Sequence, residues 1–288
     1  MNHRIPLHNY NIQFILIKGN FGVLKESEDI MDYLKKLNPH ARDDDIVFDE
    51  EPHLYYVKGD PNNTSVTTLV HKYFPKFNAD LIIDRMMRSK NWPNSAYFGK
   101  TADEIKEQWR MSGVDATTKG TYMHKSVEAF YNNEPVADND TPEYKMFLNF
   151  QEDHKDLLEA YRTEWEIYDE EHKIAGSIDM VFRNKDDGTY SIYDWKRTKE
   201  IKLKNQYGGR GLCPLQEFHD CNYVHYSLQL NIYKHILQTK YGIRIRDMYL
   251  VCMHPLYDNY IKYEVMEMSD MVNTLLAEHL TRTIMEDF

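Results

Sequence analysis

The N-terminal half of the chain carries apolar residues at helical spacing. They recur every three or four positions in segments 25–37, 69–74, 79–87, 102–111 and 121–131. This period of about 3.6 residues predicts a helix in each segment. Ser65 or Thr67 has the side chain of a typical helix N-cap, and so marks where the second of these helices starts.

The pattern changes after residue 161. Short runs rich in Ile, Val, Tyr, Phe and Trp occupy segments 162–168, 174–182 and 190–197. Such runs are typical of strands, and the Asp187-Gly188 step between the last two is a strong hairpin signal. We therefore expect three consecutive antiparallel strands. A helix over 227–241, a strand over 247–253 and a helix over 270–285 are expected to follow.

Helices before and after a group of strands predict the fold class. We expect an α/β domain in which helices flank a central mixed sheet, and in which an antiparallel hairpin of that sheet carries the functional site. We divide the chain into an N-terminal arm with an acidic linker, residues 1–52, and a domain with a helical N-terminal part, residues 53–288.

The composition limits the class of protein. Of the 288 residues, 42% are hydrophobic and 28% are charged, which is usual for a globular domain. No run approaches the roughly 18 apolar residues of a membrane helix, so we expect no membrane partner. The three cysteines are widely spaced, which does not predict a disulfide framework, and the opening residues lack the pattern of a secretory signal. We therefore expect an intracellular protein.

The net charge of −11 is unevenly distributed. Segments 25–52 and 264–288 account for all of it, and residues 196–210 carry six basic side chains against the single acid Glu200. A solvated basic loop explains such a strip. Phosphate contacts explain it as well, since they act over about a Debye length of 8–10 Å. The charge alone leaves both interpretations open.

Two acidic residues and a lysine mark the predicted hairpin. Side chains alternate along a strand, so Asp194 and Lys196 project from the same face, about 7 Å apart. That face also carries Tyr190 and Ile192 and should point into the protein, where unpaired charges are costly. With Asp179 on the preceding strand, two carboxylates and a lysine can converge, a set that suits Mg²⁺ or Mn²⁺. The alternative is an Asp–Lys salt bridge on a surface hairpin.

Two further pairs stand one helical turn apart. His124 and Glu128 are at i and i+4, and so are Gln229 and Tyr233. Residues at this spacing share a helix face. However, a single histidine on a helix is commonly a structural residue, and Gln and Tyr occur on most amphipathic helices. Neither pair identifies a site by itself.

Taken in order, these motifs resemble those of the RecB-like branch of the PD-(D/E)XK nuclease superfamily. That pattern has a helix with His and often Glu, then Gly-x-x-Asp on one strand, Asp-x-Lys on the next, and Gln-x-x-x-Tyr on a following helix. The matching residues here are His124 with Glu128, Gly176 to Asp179, Asp194 to Lys196, and Gln229 with Tyr233. Residues 65–68 are similar to the helix start of many such domains, and the resemblance covers about residues 53–255.

Within that branch, Asp194-Trp195-Lys196 with Thr198 nearby is similar to the mitochondrial genome maintenance exonucleases in particular. The chain departs from their pattern at Arg197, where a relative with Asp-Trp-Lys-Thr has Thr. The iron–sulfur nucleases of the branch need four cysteines, and this chain has three, so we predict no iron–sulfur cluster.

The resemblance implies a restriction-endonuclease-like core and a metal site at its centre. His124, Asp179 and Asp194 would bind Mg²⁺ or Mn²⁺ together with the backbone carbonyl of Trp195. Glu128 would bind a second metal or hold water. Asp179 and Asp194 would share the catalytic role with Lys196, which would orient the attacking water and stabilise charge on the phosphate.

The resemblance also implies where substrate would lie. Gln229 and Tyr233 would line the substrate side, where an amide can hydrogen-bond a phosphate and a phenol can stack or donate. The strip after Lys196 would hold the strand being cut, through Arg197, Lys199, Lys202 and Lys204. Glu164, on the strand before Asp179 where relatives often have an acid, is a further candidate.

Two functional classes follow from this resemblance. The first is a divalent-metal-dependent nuclease, with DNA favoured over RNA as its partner, acting as an exonuclease on single-stranded ends or flaps in repair, recombination or replication. An endonuclease of the cap-snatching type is the alternative among enzymes. The second class is a noncatalytic nucleic-acid binding module of the same fold. The complete set His124, Asp179, Asp194 and Lys196 favours the enzyme, because a decayed site usually loses a charged member.

Overall fold

The computed structural model describes residues 32–136 and 139–286. Its helices are α1 (Tyr33–Leu37), α2 (Val66–Lys72), α3 (Ala79–Met87), α4 (Ala102–Tyr131), α5 (Pro142–His154), α6 (Asn222–Lys240) and α7 (Ser269–Glu286). Its strands are β1 (Ile46–Asp49), β2 (Leu54–Val57), β3 (Thr64–Ser65), β4 (Leu158–Asp169), β5 (Ile174–Asn184), β6 (Tyr190–Lys196), β7 (Ile245–Cys252) and β8 (Ile261–Glu264). The predicted helix over 25–37 begins outside the described residues, which include only its last turn as α1.

The central sheet has six strands and mixed direction. Its order is β3-β5-β6-β7-β8, with β4 on the other edge of β5. The pairs β4–β5, β5–β6 and β7–β8 are antiparallel, and β3–β5 and β6–β7 are parallel. Helix α6 makes the crossover that the parallel pair β6–β7 requires. The predicted fold class, a mixed sheet flanked by helices with an antiparallel hairpin, is confirmed.

The β5–β6 hairpin forms where the Asp-Gly step predicted it. Gly188 has a φ of 71°, the left-handed conformation that glycine adopts without steric cost. Asp187 Oδ1 accepts a hydrogen bond from the Thr189 amide at 2.9 Å, which closes the turn. At its base, the buried Asn184 side chain bonds Ser191 Oγ at 3.0 Å. The three consecutive antiparallel strands are therefore confirmed, with β6 ending at Lys196.

Two hydrophobic cores cover the two faces of the sheet. One core packs Val181 and Ile192 of the sheet against α2, α6 and α7. The other packs Phe182 and Trp195 against α4 and α5. Because neighbouring residues of a strand point to opposite faces, the sheet contributes side chains to both cores. The described residues contain no helix that is both long and apolar enough to cross a membrane.

Helix α4 differs from the prediction of two separate helices. It runs unbroken for 30 residues through Gly113 and Gly120. Each glycine lowers the stability of the helix by about 1 kcal/mol relative to alanine. Two features stabilise the helix against this cost: Thr101 and Glu104 form a capping box at its N-terminus, and its C-terminal turns pack in a hydrophobic core. Helix α5 was not predicted, although its N-cap Thr141 is a standard start signal.

Residues assigned to the acidic linker contribute to folded structure. Strands β1 and β2 pair as a hairpin, Ile46 opposite Val57. The Asp43 side chain is 7% exposed and lies 2.8 Å from the Arg162 guanidinium of β4, and it also accepts a hydrogen bond from Trp165 Nε1 at 3.0 Å. Residues 1–31 of the predicted arm lie outside the described residues, and the division at residue 52 stays a prediction.

Candidate metal centre

The candidate site lies where strands β5 and β6 separate. Their ladder runs from Arg183 opposite Tyr190 to Met180 opposite Tyr193 and ends there. Beyond it, the Trp195 amide donates to the side chain of Asp179, at 2.8 Å from Oδ2. A carboxylate thus takes the place of a backbone acceptor, and this holds Asp179 at the mouth of the gap between the strands.

Three potential metal ligands converge at this gap. One ligand atom from each of His124, Glu164 and Asp179 lies within 4.8 Å of the others. His124 Nδ1 is 3.5 Å from Glu164 Oε1 and 3.6 Å from Asp179 Oδ2. The three residues come from α4, β4 and β5, so only the folded chain assembles them.

His124 is oriented by the strand that follows Asp179. Its Nε2 lies 2.9 Å from the carbonyl oxygen of Trp195, which accepts the hydrogen bond. Nδ1 therefore faces the two carboxylates. Burial lowers the pKa of His124, but the charges of Asp179 and Glu164 outweigh burial and raise the pKa to about 9. At neutral pH this value keeps the imidazole protonated, so its charge offsets those of the two carboxylates.

Glu164 occupies a strained position opposite Asp179. The flanking pairs Thr163–Met180 and Trp165–Ile178 place it across the β4–β5 ladder from Asp179. Its φ is 39°, a left-handed value that is uncommon for a residue other than glycine. Such outliers persist where the surroundings enforce them, and they cluster at functional sites. Ser177 Oγ donates to Glu164 Oε2 at 3.2 Å and fixes the carboxylate towards the cluster.

Asp194 and Lys196 share one face of β6, as side-chain alternation predicted. Lys196 Nζ lies 2.6 Å from Asp194 Oδ2, with side chains 18% and 4% exposed. The alternative of a salt bridge on the surface is therefore wrong, because this pair is largely buried. Asp194 Oδ2 has no well-aligned hydrogen-bond donor among the described residues, so the ion pair leaves it with unused capacity to accept a ligand.

Burial and the opposite charges of the two side chains together set the protonation of this pair. Burial raises the pKa of Asp194, with the charge of Lys196 acting in the opposite direction. For Lys196, burial lowers the pKa, but Asp194 and Asp179 outweigh it and raise the value. The ammonium is therefore charged at neutral pH, and its Nζ lies 4.7 Å from the ring centroid of Tyr226. This favours a role in orientation and charge stabilisation over one as proton acceptor.

The structure separates the four ligands predicted from the sequence. His124 and Asp179 belong to the cluster, together with Glu164, whereas Asp194 and Glu128 are outside it. Glu128 lies with Glu164 on the wall of an adjacent cavity of about 230 Å³. Burial, followed by the charge of Glu164, raises the pKa of Glu128 to about 7. The donor set of one imidazole and two carboxylates, with Asp194 on the next strand, fits Mg²⁺ or Mn²⁺.

Gln229 and Tyr233 meet each other but have different exposure. Gln229 is partly exposed and its amide donates to the Tyr233 hydroxyl at 3.2 Å. Tyr233 is only 3% exposed and packs on Gly176 of β5. A ring this buried has no face free for a base, so the stacking predicted for Tyr233 is not supported by its position.

The basic strip divides into a structural part and an exposed part. Arg197 Nε lies 2.7 Å from Glu143 Oε1, with side chains 11% and 9% exposed. This buried ion pair joins β6 to α5, so the substrate contact predicted for Arg197 is not supported. The side chains of Lys199, Lys202 and Lys204 are exposed, with no ion-pair partner among the described residues. We call these three lysines the basic loop.

Two residues of the site lacked a decisive signal in the sequence. Glu164 was only a candidate, because neither its left-handed φ nor its place across the ladder from Asp179 has a sequence signature. Tyr226, beside Lys196, was missed. It stands three and seven residues before Gln229 and Tyr233 in α6, a spacing that places all three on one helix face and would have identified it.

No protein family model and no curated protein matches the chain. Among solved structures, that of SSO0001 shows 20% sequence identity and a TM-score of 0.32, over 77% of this chain and 77% of its own. A TM-score this low supports no inference about fold or function.

Proposed function

We propose that the protein is a divalent-metal-dependent nuclease that hydrolyses phosphodiester bonds. The observation that supports this most directly is the convergence of His124, Glu164 and Asp179 to within 4.8 Å, beside the buried Asp194–Lys196 pair on the adjacent strand. Hard oxygen ligands next to a buried, charged lysine suit the activation of water against a phosphate. The motif order that resembles RecB-like nucleases points to the same chemistry.

Each side chain has a definable task in that reaction. A bound divalent ion would act as a Lewis acid towards the phosphate and the attacking water. His124, Glu164 and Asp179 would hold the ion, with Asp194 facing it from β6. Lys196 would orient the water and stabilise negative charge that develops on the phosphate, because its ammonium is fixed by Asp194 and Tyr226.

The surface next to the centre suits a nucleic-acid strand. The loop that follows Lys196 carries the basic loop lysines, which can contact phosphates. It also carries Tyr207, which is 98% exposed and offers a free ring face for a base. This surface supports a nucleic-acid substrate, and the resemblance to RecB-like nucleases leads us to propose DNA, cut by an exonuclease at single-stranded ends or flaps in repair, recombination or replication.

The test compares Lys196 with a matched lysine. Lys234 Nζ lies 2.7 Å from Glu267 Oε2 and its side chain is 16% exposed, close to the burial of Lys196. Lys196→Ala and Lys234→Ala are incubated with end-labelled linear, circular and flapped substrates in Mg²⁺ or Mn²⁺. Lys196→Ala should lose about two to four orders of magnitude in cleavage rate while it binds nucleic acid within a few-fold of wild type. Lys234→Ala should cut at the wild-type rate.

Two further variants separate catalysis from folding. Removal of Lys196 leaves Asp194 buried without a countercharge, which typically costs about 3–5 kcal/mol. Lys196→Gln retains a donor towards Asp194 and should fold, yet it should be as inactive as Lys196→Ala. Lys196→Arg should not rescue cleavage, since the guanidinium is bulkier and planar. If wild type binds but cuts none of these substrates with either metal, the noncatalytic alternative replaces the nuclease.

A further inference from the structure

A cavity of about 490 Å³ lies apart from the metal centre. Its walls come from the loop before β3, the end of α2, the β4–β5 turn and the last turns of α7. Strand β3 pairs with β5 at Ile174, whereas Asp179 is five residues further along β5. At about 3.3 Å per residue, these two points of the strand are about 17 Å apart. The cavity and the metal centre are therefore separate sites.

The lining of this cavity is cationic. Lys72, Lys173 and Arg282 are among its lining residues, and no Asp or Glu of the described residues is. Glu278 pairs with Arg282 and offsets one of these charges. Within the described ranges, Lys72 and Lys173 have no ion-pair partner. Two lysines without an ion-pair partner therefore lie in the cavity wall, although the chain as a whole has a net charge of −11.

Lys173 is held at the cavity wall by the fold. Its carbonyl oxygen accepts a hydrogen bond from the Thr64 amide at 2.8 Å, in the register that joins β3 to β5. Its φ of 50° is left-handed, which is uncommon for a lysine. The pairing of β3 with β5 therefore fixes the backbone position of Lys173, although lysine does not favour this backbone conformation.

We propose that this cavity binds a phosphate group carried on a nucleotide. Lysine ammonium groups are compact point charges that bind phosphate, and Arg282 has donors beyond those used by Glu278. The volume lies within the roughly 300–1,000 Å³ of small-ligand sites, and a water fills only about 30 Å³. The cavity therefore has room for a sugar or base next to the phosphate.

Two sources offer this chemistry. One is a free mononucleotide, which is independent of any nuclease activity. The other is a nucleotide unit within a single strand that extends from the metal centre, and this version rests on the proposed function. Both place a phosphate between Lys72 and Lys173, and binding measurements separate them.

The experiment measures binding by the full chain in EDTA, so that a metal-bridged phosphate at the metal centre does not contribute. Adenosine monophosphate is titrated by calorimetry, and a labelled single-stranded oligodeoxynucleotide by fluorescence anisotropy at several salt concentrations. The test variant is Lys72→Gln with Lys173→Gln. The control is Lys155→Gln with Lys185→Gln, which removes the same charge. Lys185 follows the end of β5, whereas Lys173 precedes its start.

We expect the test variant to weaken binding of at least one probe about tenfold or more, and the control to stay within about twofold of wild type. Loss for the mononucleotide alone identifies the free ligand. Loss for the oligonucleotide, with a salt slope lower by about 0.7 per phosphate contact removed, identifies the strand. Equal affinities of the test and control variants for both probes would overturn the proposal. Both lysines are at the surface, and an unchanged melting temperature without ligand shows that the variants fold.

This outcome is independent of the nuclease test. An inactive wild-type protein whose nucleotide binding depends on Lys72 and Lys173 would refute the proposed function and retain this site. An active nuclease whose nucleotide binding is unchanged in the test variant would support the proposed function and refute this site.

Discussion

Gly176 lies against a buried tyrosine ring, and we predict that Gly176→Ala destabilises the protein. A Cβ at this position would lie 2.7 Å from Tyr233 Cε1 and 2.9 Å from its hydroxyl oxygen. Favourable carbon–carbon contacts begin at about 3.5 Å, so the ring or the strand has to move by about 0.8 Å. Tyr233 is 3% exposed and bonded to Gln229 at 3.2 Å, which leaves the ring little freedom to move.

The expected cost is that of overpacking a core, a decrease of about 1–3 kcal/mol in the free energy of unfolding. Urea unfolding followed by circular dichroism measures it. Gly113→Ala is the control, because nothing lies within 4 Å of the Cβ that it adds on helix α4. In a helix this change should stabilise by about 0.5–1 kcal/mol.

A second substitution tests the cause. Tyr233→Leu should destabilise by itself, because it opens a cavity. In that background Gly176→Ala should cost less than about 0.5 kcal/mol, so the two changes should show a favourable coupling within the range of about 0.5–3 kcal/mol known for contacting residues. If Gly176→Ala costs the same in both backgrounds, the clash with Tyr233 is not the reason and the packing argument fails.

Three other predictions address the metal, the substrate and acid stability. Mn²⁺ should raise the melting temperature of wild type but not of Glu164→Gln with Asp179→Asn; an unchanged rise would place the metal elsewhere. Alanine at all three basic loop lysines should reduce the salt dependence of DNA binding and leave the Mn²⁺-induced rise in melting temperature unchanged. An unaltered salt slope would show that these lysines do not contact phosphates. Burial raises the pKa of Asp43, but hydrogen bonds, chiefly from Arg162, outweigh it and hold the pKa below its usual value. The folded-state pKa is thus the lower one, so the stabilisation is present above about pH 4 and is lost as pH falls further. Asp43→Asn should cost about 3–5 kcal/mol at pH 7 and clearly less below pH 4 in urea titrations; an equal cost at both values would contradict the linkage.

Local patterns in the sequence determined the features that depend on neighbouring residues. Asp187-Gly188 defined the hairpin turn, because the left-handed φ is a property of the glycine itself. The alternation of Asp194 and Lys196 placed both side chains on one strand face, where they form an ion pair. The apolar periods located β7 and α7 to within two residues, and α6 to within five, because its start at Asn222 was missed. Each of these inferences uses only residue types and their spacing along the chain.

Tertiary contacts decided which charged residues belong to the candidate site. Arg197 was expected at the substrate, but Glu143, 54 residues away, binds it inside the protein. Asp43 was expected in a linker, but it is buried and accepts a hydrogen bond from Arg162, 119 residues away. No periodic pattern records such pairs, because an ion pair between distant residues needs only two charges and a fold that brings them together.

The position of Glu164 at the metal centre likewise depends on the tertiary structure. Its sequence neighbours predict a strand, and in a regular strand it would be one more alternating side chain. Instead it has a left-handed φ of 39°, and its Oε1 lies 3.5 Å from His124 Nδ1. That conformation is unfavourable for glutamate in isolation, so it exists only because the paired strands on either side enforce it, and no local preference in the sequence could have indicated it.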